Sequence, residues 1–371
     1  MKRKAFSLLV MLFCLGWGFS MTAEAQDPDK IWLREGPYEL LDTPEIIEEM
    51  DIARELAGDD HYLLTTQRLQ CNDIDDTYTV VGPPGVNMNP AWPEVPAVPT
   101  QVFDNVYYVG GMEVGGWVID TGDGLIMLDS SYHYGATTIL EPNMALLGLN
   151  PADIKYILVT HAGPDHFGAV MHFVKNYGTK VVFNRQLTPK IPGPPWLQVV
   201  PQYMIVMGDG DTLTLGDTTI TTVHTPRSYN TDRDGNITGP GDGLSYFIPV
   251  KIKGKRHMWA TYGNTGISGG LENKDLYRES MAKFLEYVDM LKPDIAISSH
   301  PFVDASLDRM AIIRECNDRR GRHDQCGPHN PFLIGKKGAR RYFEIMDQCV
   351  VVQIAREEAG LNNTGLEYLE P

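Results

Sequence analysis

The segment VTHAGPDHFGAV places two histidines and an aspartate, His161, Asp165 and His166, within six positions. Imidazole nitrogens and carboxylate oxygens are natural zinc ligands where cysteine is absent. The apolar run 154–159 just before them is typical of a buried strand, and side chains that follow a strand are held rigidly yet stay open to a ligand. We therefore predict a metal site here, with Gly163 at its centre.

Two more histidines close predicted strands elsewhere in the chain. His224 ends the β-rich stretch of TTITTVHTP, and His300 ends that of DIAISSHP. Because a histidine lies at the end of each of three predicted strands, we infer that distant segments of the chain form one metal site. The other histidines are interpreted as packing, loop or surface residues, with His133 a better replacement ligand than His172; they are His61, His133, His172, His257, His323 and His329.

Short β-rich runs and helical stretches alternate around these residues. FDNVYYVG, GGWVIDTG and GLIMLDSS are separated by glycine-containing turns and predict an antiparallel meander. The order of strands, helix and strand then occurs twice, which predicts an α/β fold of two packed sheets with helices outside. The predicted helices cover residues 136–147, 167–177 and 274–291, and the later strands residues 180–183, 198–206, 212–222, 244–250, 257–261 and 294–299.

The first 101 residues divide into two regions. Residues 1–25 combine three basic residues, an apolar run and the small-residue sequence AEA, so they predict a cleaved signal peptide and a soluble periplasmic or secreted protein without a membrane span. Residues 26–101 contain a helix that starts at TPE and a connector, residues 81–100, with six prolines. Residues 102–371 form the main domain and its helical C-terminal extension.

Charge and cysteine content limit the partners. A formal net charge of −16 makes nucleic acid a poor partner, so we expect a small-molecule substrate. Four cysteines remain after signal cleavage, which predicts one or two disulfides in an oxidising compartment and leaves three full pairings open. These are Cys71, Cys316, Cys326 and Cys349, and the absence of CxxC spacing argues against a structural zinc knuckle.

The segment HAGPDH, residues 161–166, resembles the HxHxDH signature of the metallo-β-lactamase superfamily. HTP and SSHP resemble its later ligand blocks and GGWVIDTGDGLIMLDS its opening strands. SYFIPV, YGNTG, GPHNPFLIG and ARRYFEIMDQC are similar to secreted relatives of its all-histidine, B3-like subclass. The resemblance extends over residues 102–350 and implies an αββα four-layer sandwich with the metal at one edge of two sheets.

The resemblance also implies roles for individual residues. His161 and His224 would belong to a first zinc site, while Asp165, His166 and His300 would form a second. Gly163 stands where the family has its middle histidine, so the second site would bind one zinc firmly and the first would bind another weakly or not at all. Outside the ligands, Asp129 would orient a ligand histidine, and Tyr229 and Asn230 would polarise a substrate carbonyl, although turn chemistry explains that pair more simply.

The sequence therefore predicts a secreted zinc-dependent hydrolase. A zinc-held water, oriented by Asp165, would attack an amide, lactone or ester, with a β-lactam as one such substrate. Two alternatives stay open. The same fold could serve a metal-dependent lyase or isomerase, or a secreted binding protein that has lost its chemistry, for which Gly163 is the supporting feature.

Overall fold

The computed structural model describes residues 38–73, 94–184, 201–231, 234, 236–267, 269–318, 329–361 and 366–368. The predicted signal peptide, residues 81–93 of the proline-rich connector, His323 and Cys326 lie outside these ranges. In the described part of the chain, no helix is long and apolar enough to cross a membrane.

Strands and helices alternate along most of the chain. The strands are β1 (Tyr38–Leu40), β2 (Thr100–Phe103), β3 (Val106–Tyr108), β4 (Trp117–Asp120), β5 (Leu125–Leu128), β6 (Ile154–Leu158), β7 (Lys180–Asn184), β8 (Met204–Met207), β9 (Thr212–Leu215), β10 (Thr218–His224), β11 (Tyr229–Thr231), β12 (Ile237–Pro240), β13 (Leu244–Ile252), β14 (Lys255–Thr261), β15 (Ile295–Ala296) and β16 (Leu366–Tyr368). The helices are α1 (Pro44–Ala57), α2 (His61–Cys71), α3 (Glu141–Leu146), α4 (Pro164–Phe167), α5 (Val170–Tyr177), α6 (Leu271–Leu291), α7 (Ser306–Asp318) and α8 (Gly335–Glu358).

Two large sheets form the centre of the molecule. One has the order β2-β3-β4-β5-β6-β7-β8, and the other has the order β15-β14-β13-β10-β9. The predicted meander is confirmed, because β2 to β5 pair antiparallel in sequence order. From β5 to β8 the pairing is parallel, so the carboxyl ends of β5 and β6 meet at one edge of the sheet.

Alternating side chains bury both faces of each sheet. On β4, Trp117 and Ile119 enter the core between the two sheets, while Val118 faces the opposite way, toward the core under α3 and α5. On β13, Tyr246 enters the same central core and Phe247 packs under the helices of the second sheet. Because successive side chains of a strand point to opposite faces, this pattern gives the predicted αββα sandwich.

Two predicted strands differ from the observed ones. The stretch 212–222 is a hairpin, because Gly216 adopts a φ of 53° and reverses the chain between β9 and β10. The stretch 294–299 is a strand only at Ile295–Ala296. The residues after it leave the sheet as a loop that carries His300.

The N-terminal helices belong to the outer layer of the second sheet. The predicted helix at TPE is confirmed as α1, where Thr43 accepts a hydrogen bond from the Ile46 amide. Ile46, Met50 and Leu63 are buried in the core that α6 and α8 share with the second sheet. A disulfide joins Cys71 of α2 to Cys349 of α8, and Cys316 is disulfide-bonded as well.

Candidate metal centre

The carboxyl ends of β5 and β6 bring the first site residues together. Asp129 follows β5, and its amide donates to the Leu158 carbonyl at 2.9 Å. Thr160 follows β6, and its amide donates to Asp129 Oδ1 at 2.9 Å. These bonds fix the carboxylate of Asp129, which is buried, directly beside His161 and the turn that follows.

Asp165 and His166 lie on the one-turn helix α4 rather than in the loop that the sequence predicted. Pro164 occupies the first helical position, where its missing N–H costs nothing. The Gly163 carbonyl accepts from the His166 and Phe167 amides at 3.0 and 2.9 Å. The helical turn directs both side chains toward the same space, with His166 fully buried and Asp165 partly exposed.

His300 reaches this space from the loop after β15. Its Nε2 lies 3.2 Å from His166 Nε2 and 3.9 Å from Asp165 Oδ2, while His166 Nε2 lies 3.1 Å from Asp165 Oδ2. Ligand atoms bound tetrahedrally to zinc at about 2.0 to 2.1 Å are about 3.3 Å apart. These donors therefore fit one zinc ion. His161 joins them, since ligand atoms of His161, Asp165 and His166 all lie within 4.8 Å of one another.

Each of the three clustered histidines uses Nδ1 for a hydrogen bond to an oxygen of the protein. His166 Nδ1 donates to Asp129 Oδ2 at 2.7 Å, His300 Nδ1 to the Glu113 carbonyl at 2.9 Å, and His161 Nδ1 to the Gly263 carbonyl at 3.1 Å. Since these acceptors require a hydrogen on Nδ1, Nε2 is the nitrogen left to bind a metal. Such outer hydrogen bonds fix the tautomer and orientation of a metal-binding imidazole.

Charge and backbone conformation also single out this region. Burial opposes protonation of His166, yet the carboxylates of Asp165 and Asp129 raise its pKa to about 10. The pKa of His300 falls to about 4 because of burial and the adjacent His166. Asp129 and Ser131 adopt φ values of 57° and 61°, a region that residues other than glycine rarely occupy and that is enriched at functional sites.

Comparison with known proteins agrees with this arrangement. The sequence profile of the metallo-beta-lactamase superfamily matches residues 114–247, which include His161, Asp165 and His166. Residues 114–247 are therefore similar to the metallo-beta-lactamase superfamily. The fold is the αββα fold of that superfamily, as the sequence predicted, with similarity to subclass B3 enzymes.

The chain is also similar to several solved structures. BJP-1, a subclass B3 metallo-beta-lactamase of Bradyrhizobium japonicum, shares 25% identity with a TM-score of 0.53, over 72% of this chain and 98% of that one. FEZ-1 of Legionella gormanii shares 19% identity with a TM-score of 0.53, over 72% and 99%. MEM-A1, a subclass B3 enzyme from a soil metagenome library, shares 22% identity with a TM-score of 0.53, over 72% and 99%.

His224 is not brought into the cluster. Its Nε2 donates to the Gly241 carbonyl at 2.9 Å, so that nitrogen carries a hydrogen and has no lone pair for a metal. Among the described residues, the group with metal-ligating geometry consists of His161, Asp165 and His166, and His300 adjoins it. His224 is not part of the clustered ligands in this structure, and its expected pairing with His161 around a first zinc stays a prediction.

Gly163 has no side chain, and atoms of Asp165 and His161 lie close to the position that a Cβ would take. A Cβ built on Gly163 would lie 2.5 Å from Asp165 Oδ1 and 2.8 Å from His161 Nε2. Both distances are far below ordinary van der Waals contact. Gly163 therefore allows Asp165 and His161 to approach each other above the turn.

The remaining candidates lie outside the cluster. Tyr229 and Asn230 pair with β12 in a two-stranded ribbon, where Asn230 Nδ2 donates to the Pro240 carbonyl at 3.2 Å. His133 is exposed and packs edge-on against Tyr134. His172 bonds Glu141 at 2.8 Å, away from the site. The Asn230 and His172 hydrogen bonds do not involve the clustered histidines.

Sequence reasoning missed the backbone acceptors and one carboxylate. The Glu113 and Gly263 carbonyls orient His300 and His161, and no side-chain motif reports such contacts. Asp242 accepts a hydrogen bond from the Ala162 amide and so supports the turn after β6. The aspartate within the turn sequence PGDG was the available signal, but the glycines around it favoured a simple turn.

Proposed function

We propose that the protein is an exported zinc-dependent hydrolase that acts on an amide, lactone or ester, with β-lactams among the candidate substrates. The observation that carries this proposal is the convergence of Asp165, His166 and His300, whose ligand atoms lie 3.1 to 3.9 Å apart. Similarity to subclass B3 metallo-beta-lactamases supports the reaction class. The site is proposed to hold one zinc ion. A second ion would lack ligands, because Gly163 has no side chain and His224 is not part of the clustered ligands.

The chain's own residues would divide the work as follows. When bound, zinc supplies Lewis acidity, which lowers the pKa of a water and polarises a carbonyl. His166 and His300 would hold the ion through Nε2, and Asp165 would hold it through Oδ2. Asp165 Oδ1 lies above Gly163 and beside His161 Nε2, where it can accept a hydrogen bond from a water and orient it toward a substrate.

Metal content and product labelling test this function together. Purified protein is expected to contain one zinc per chain, and His300→Ala is expected to lose most of it, while His172→Ala, a histidine outside the cluster, retains it. Hydrolysis of a β-lactam, lactone or ester panel in heavy-oxygen water must place the label in the product. Turnover that persists in protein shown to be free of metal would refute the proposal, and an unlabelled product would point to a lyase or isomerase instead.

Export is tested separately. The Cys71–Cys349 disulfide is consistent with an oxidising compartment. Expression of the full chain in a Gram-negative host is expected to yield periplasmic protein whose first residue is Gln26. Retention of residues 1–25 in the recovered protein would contradict the predicted cleavage.

A further inference from the structure

The turn 111–115 between β3 and β4 holds the loop that carries His300. The Glu113 carbonyl accepts from His300 Nδ1 at 2.9 Å. The Gly115 amide donates to the Ser299 carbonyl at 2.8 Å. Because one bond reaches the imidazole and the other reaches the backbone beside it, the position of this turn sets the position of His300.

The segment 129–131 after β5 holds His166 in a similar way. Asp129 Oδ2 accepts from His166 Nδ1 at 2.7 Å. Ser130 donates to the His166 carbonyl twice, from its amide at 2.8 Å and from its hydroxyl at 3.1 Å. The imidazole and the backbone of His166 are therefore both bonded to this one segment.

The buried carboxylate of Glu94 joins the turn to the segment after β5. Its Oε1 accepts from the Val114 amide at 2.7 Å and from the Glu113 amide at 3.2 Å. Its Oε2 accepts from the Ser131 hydroxyl at 3.0 Å. One side chain therefore links the backbone that holds His300 to the backbone that holds His166.

The predicted connector, residues 81–100, places Glu94 at this point. The Glu94 amide donates to the Tyr134 hydroxyl at 3.0 Å. The Met112 amide donates to the Val95 carbonyl at 2.9 Å, which attaches the connector to the turn. The Glu94 side chain is thus fixed from its own backbone as well as through its carboxylate.

Gly111 provides the space that the carboxylate occupies. A Cβ on Gly111 would overlap the Glu94 side chain, and the three atoms nearest to that position all belong to Glu94. Both residues lie outside residues 114–247, the part matched by the family profile. The contact is therefore a feature of this chain beyond the matched region.

We propose that Glu94 is a positioning residue for the metal site: its carboxylate fixes the turn that holds His300 relative to the segment that holds His166. The connector, which the sequence predicted only as a link between regions, then supports the site. The inference rests on the proposed zinc site for its effect on zinc binding. Its effect on the order of the two backbone segments does not depend on metal.

The first experiment measures zinc affinity by calorimetric titration. Glu94→Ala is expected to weaken zinc binding about 10-fold, the lower end of the loss that removal of an outer partner causes. Glu94→Gln keeps an oxygen for the two backbone amides and an amide group that can donate to Ser131, so it is expected to recover most of the affinity. Equal losses in the alanine and glutamine variants would contradict a role through these hydrogen bonds.

Asn105→Ala is the matched control. Asn105 is also buried, with Oδ1 accepting from the Lys251 amide at 2.9 Å and Nδ2 donating to the Asp120 carbonyl at 3.4 Å. Lys251 lies toward the opposite end of β13 from Leu244, whose amide donates to the Thr160 carbonyl beside the cluster. This variant is expected to lower thermal stability and leave the zinc dissociation constant within about twofold of wild type.

Gly111→Ala displaces the Glu94 carboxylate without removing it, and it serves if Glu94→Ala does not fold. It is expected to weaken zinc binding in the wild-type background. In the Glu94→Ala background, where the shorter side chain leaves room for the new methyl group, it is expected to add little. Fully additive losses would show that the methyl group does not act through Glu94 and would overturn the role given to that contact.

The second experiment reads the two segments in metal-free protein by amide hydrogen exchange. The Gly115 and Ser130 amides report on the segments themselves, because both donate to residues other than Glu94. Glu94→Ala is expected to speed exchange of both amides about tenfold, whereas Asn105→Ala leaves them unchanged. Unchanged exchange and zinc affinity in Glu94→Ala, or equal losses in Asn105→Ala, would overturn the inference. Wild type that binds no zinc, while the exchange difference is still observed, would refute the proposed function alone.

Discussion

At the scale of single residues, the site depends on which ring nitrogen each histidine presents. His161, His166 and His300 all give Nδ1 to an oxygen of the protein, which leaves Nε2 directed at a shared point. His224 does the reverse and donates Nε2 to the Gly241 carbonyl. A sequence reports that a histidine ends a strand. It does not report to which face of the sheet the side chain points, and a shift of the strand register by one residue reverses that face.

The first prediction concerns Asp129. Asp129→Asn keeps a residue that tolerates the φ of 57°, but an amide cannot offer His166 the same charged acceptor. Zinc affinity is expected to fall about 10- to 100-fold. Calorimetric titration with zinc measures this, with Asp123→Asn in an exposed turn as the control. Equal affinity in the two variants would show that Asp129 does not support the site.

The second prediction concerns pH and Glu94. Its carboxylate accepts from the Val114 and Glu113 amides and from Ser131, and burial raises its pKa to about 7. Because this exceeds the unfolded value, the folded state binds the extra proton. The stabilisation is complete below about pH 4.5 and is lost as pH rises toward 7, by about 3 kcal/mol.

Urea unfolding of metal-free protein at pH 5 and pH 8 measures that difference. Glu94→Gln cannot titrate, so its free energy of unfolding is expected to fall less between the two pH values than that of wild type. The comparison between variant and wild type removes contributions from other titrating groups. An identical pH dependence in both proteins would exclude Glu94 as the source.

At the scale of elements, glycine and proline decide where the site residues lie. Pro164 starts α4, and this short helix directs Asp165 and His166 together. The sequence predicted both residues but placed them in a loop, since a single helical turn has no hydrophobic period to recognise. β15 was likewise predicted too long. Ile297, Ser298 and Ser299 after it are buried without being paired as a strand.

The third prediction concerns the link between α2 and α8. Replacing Cys71 and Cys349 by alanine removes a disulfide between residues 278 positions apart. Because closing so long a loop restricts the unfolded chain, the free energy of unfolding is expected to fall by about 2 to 4 kcal/mol. Urea unfolding under oxidising conditions measures the loss, with wild type under the same conditions as the comparison, since a reducing agent would also break the disulfide of Cys316. No change in unfolding free energy would contradict a stabilising role.

At the scale of the whole molecule, the architecture followed from the sequence because each level of pattern agreed. Short alternating runs gave the strands, and helical stretches between them gave the outer layers. The contribution of the N-terminal helices could not be read in this way. Ile46 and Met50 show that α1 has an apolar face, but only the fold reveals that α8, about 300 residues later, covers it.

The fourth prediction links metal to global stability. The ligands come from α4, from the end of β6 and from the loop after β15, so unfolding separates them and binding favours the folded state. Zinc at 100 times its dissociation constant is expected to raise the free energy of unfolding by about 2.7 kcal/mol. Urea unfolding with and without zinc measures this, and His300→Ala is expected to show a much smaller gain. An equal gain in both proteins would place the ion elsewhere.

The pairing of β1 with β16 has a practical consequence for protein engineering. Tyr38 and Tyr368 are direct partners, so two segments about 330 residues apart in sequence are adjacent in space. A short peptide could join them, and new termini could be opened at the exposed turn around Gly122. Such a circular permutant should keep the cluster of His161, Asp165, His166 and His300 intact, since neither the joint nor the opening interrupts a segment that carries one of them.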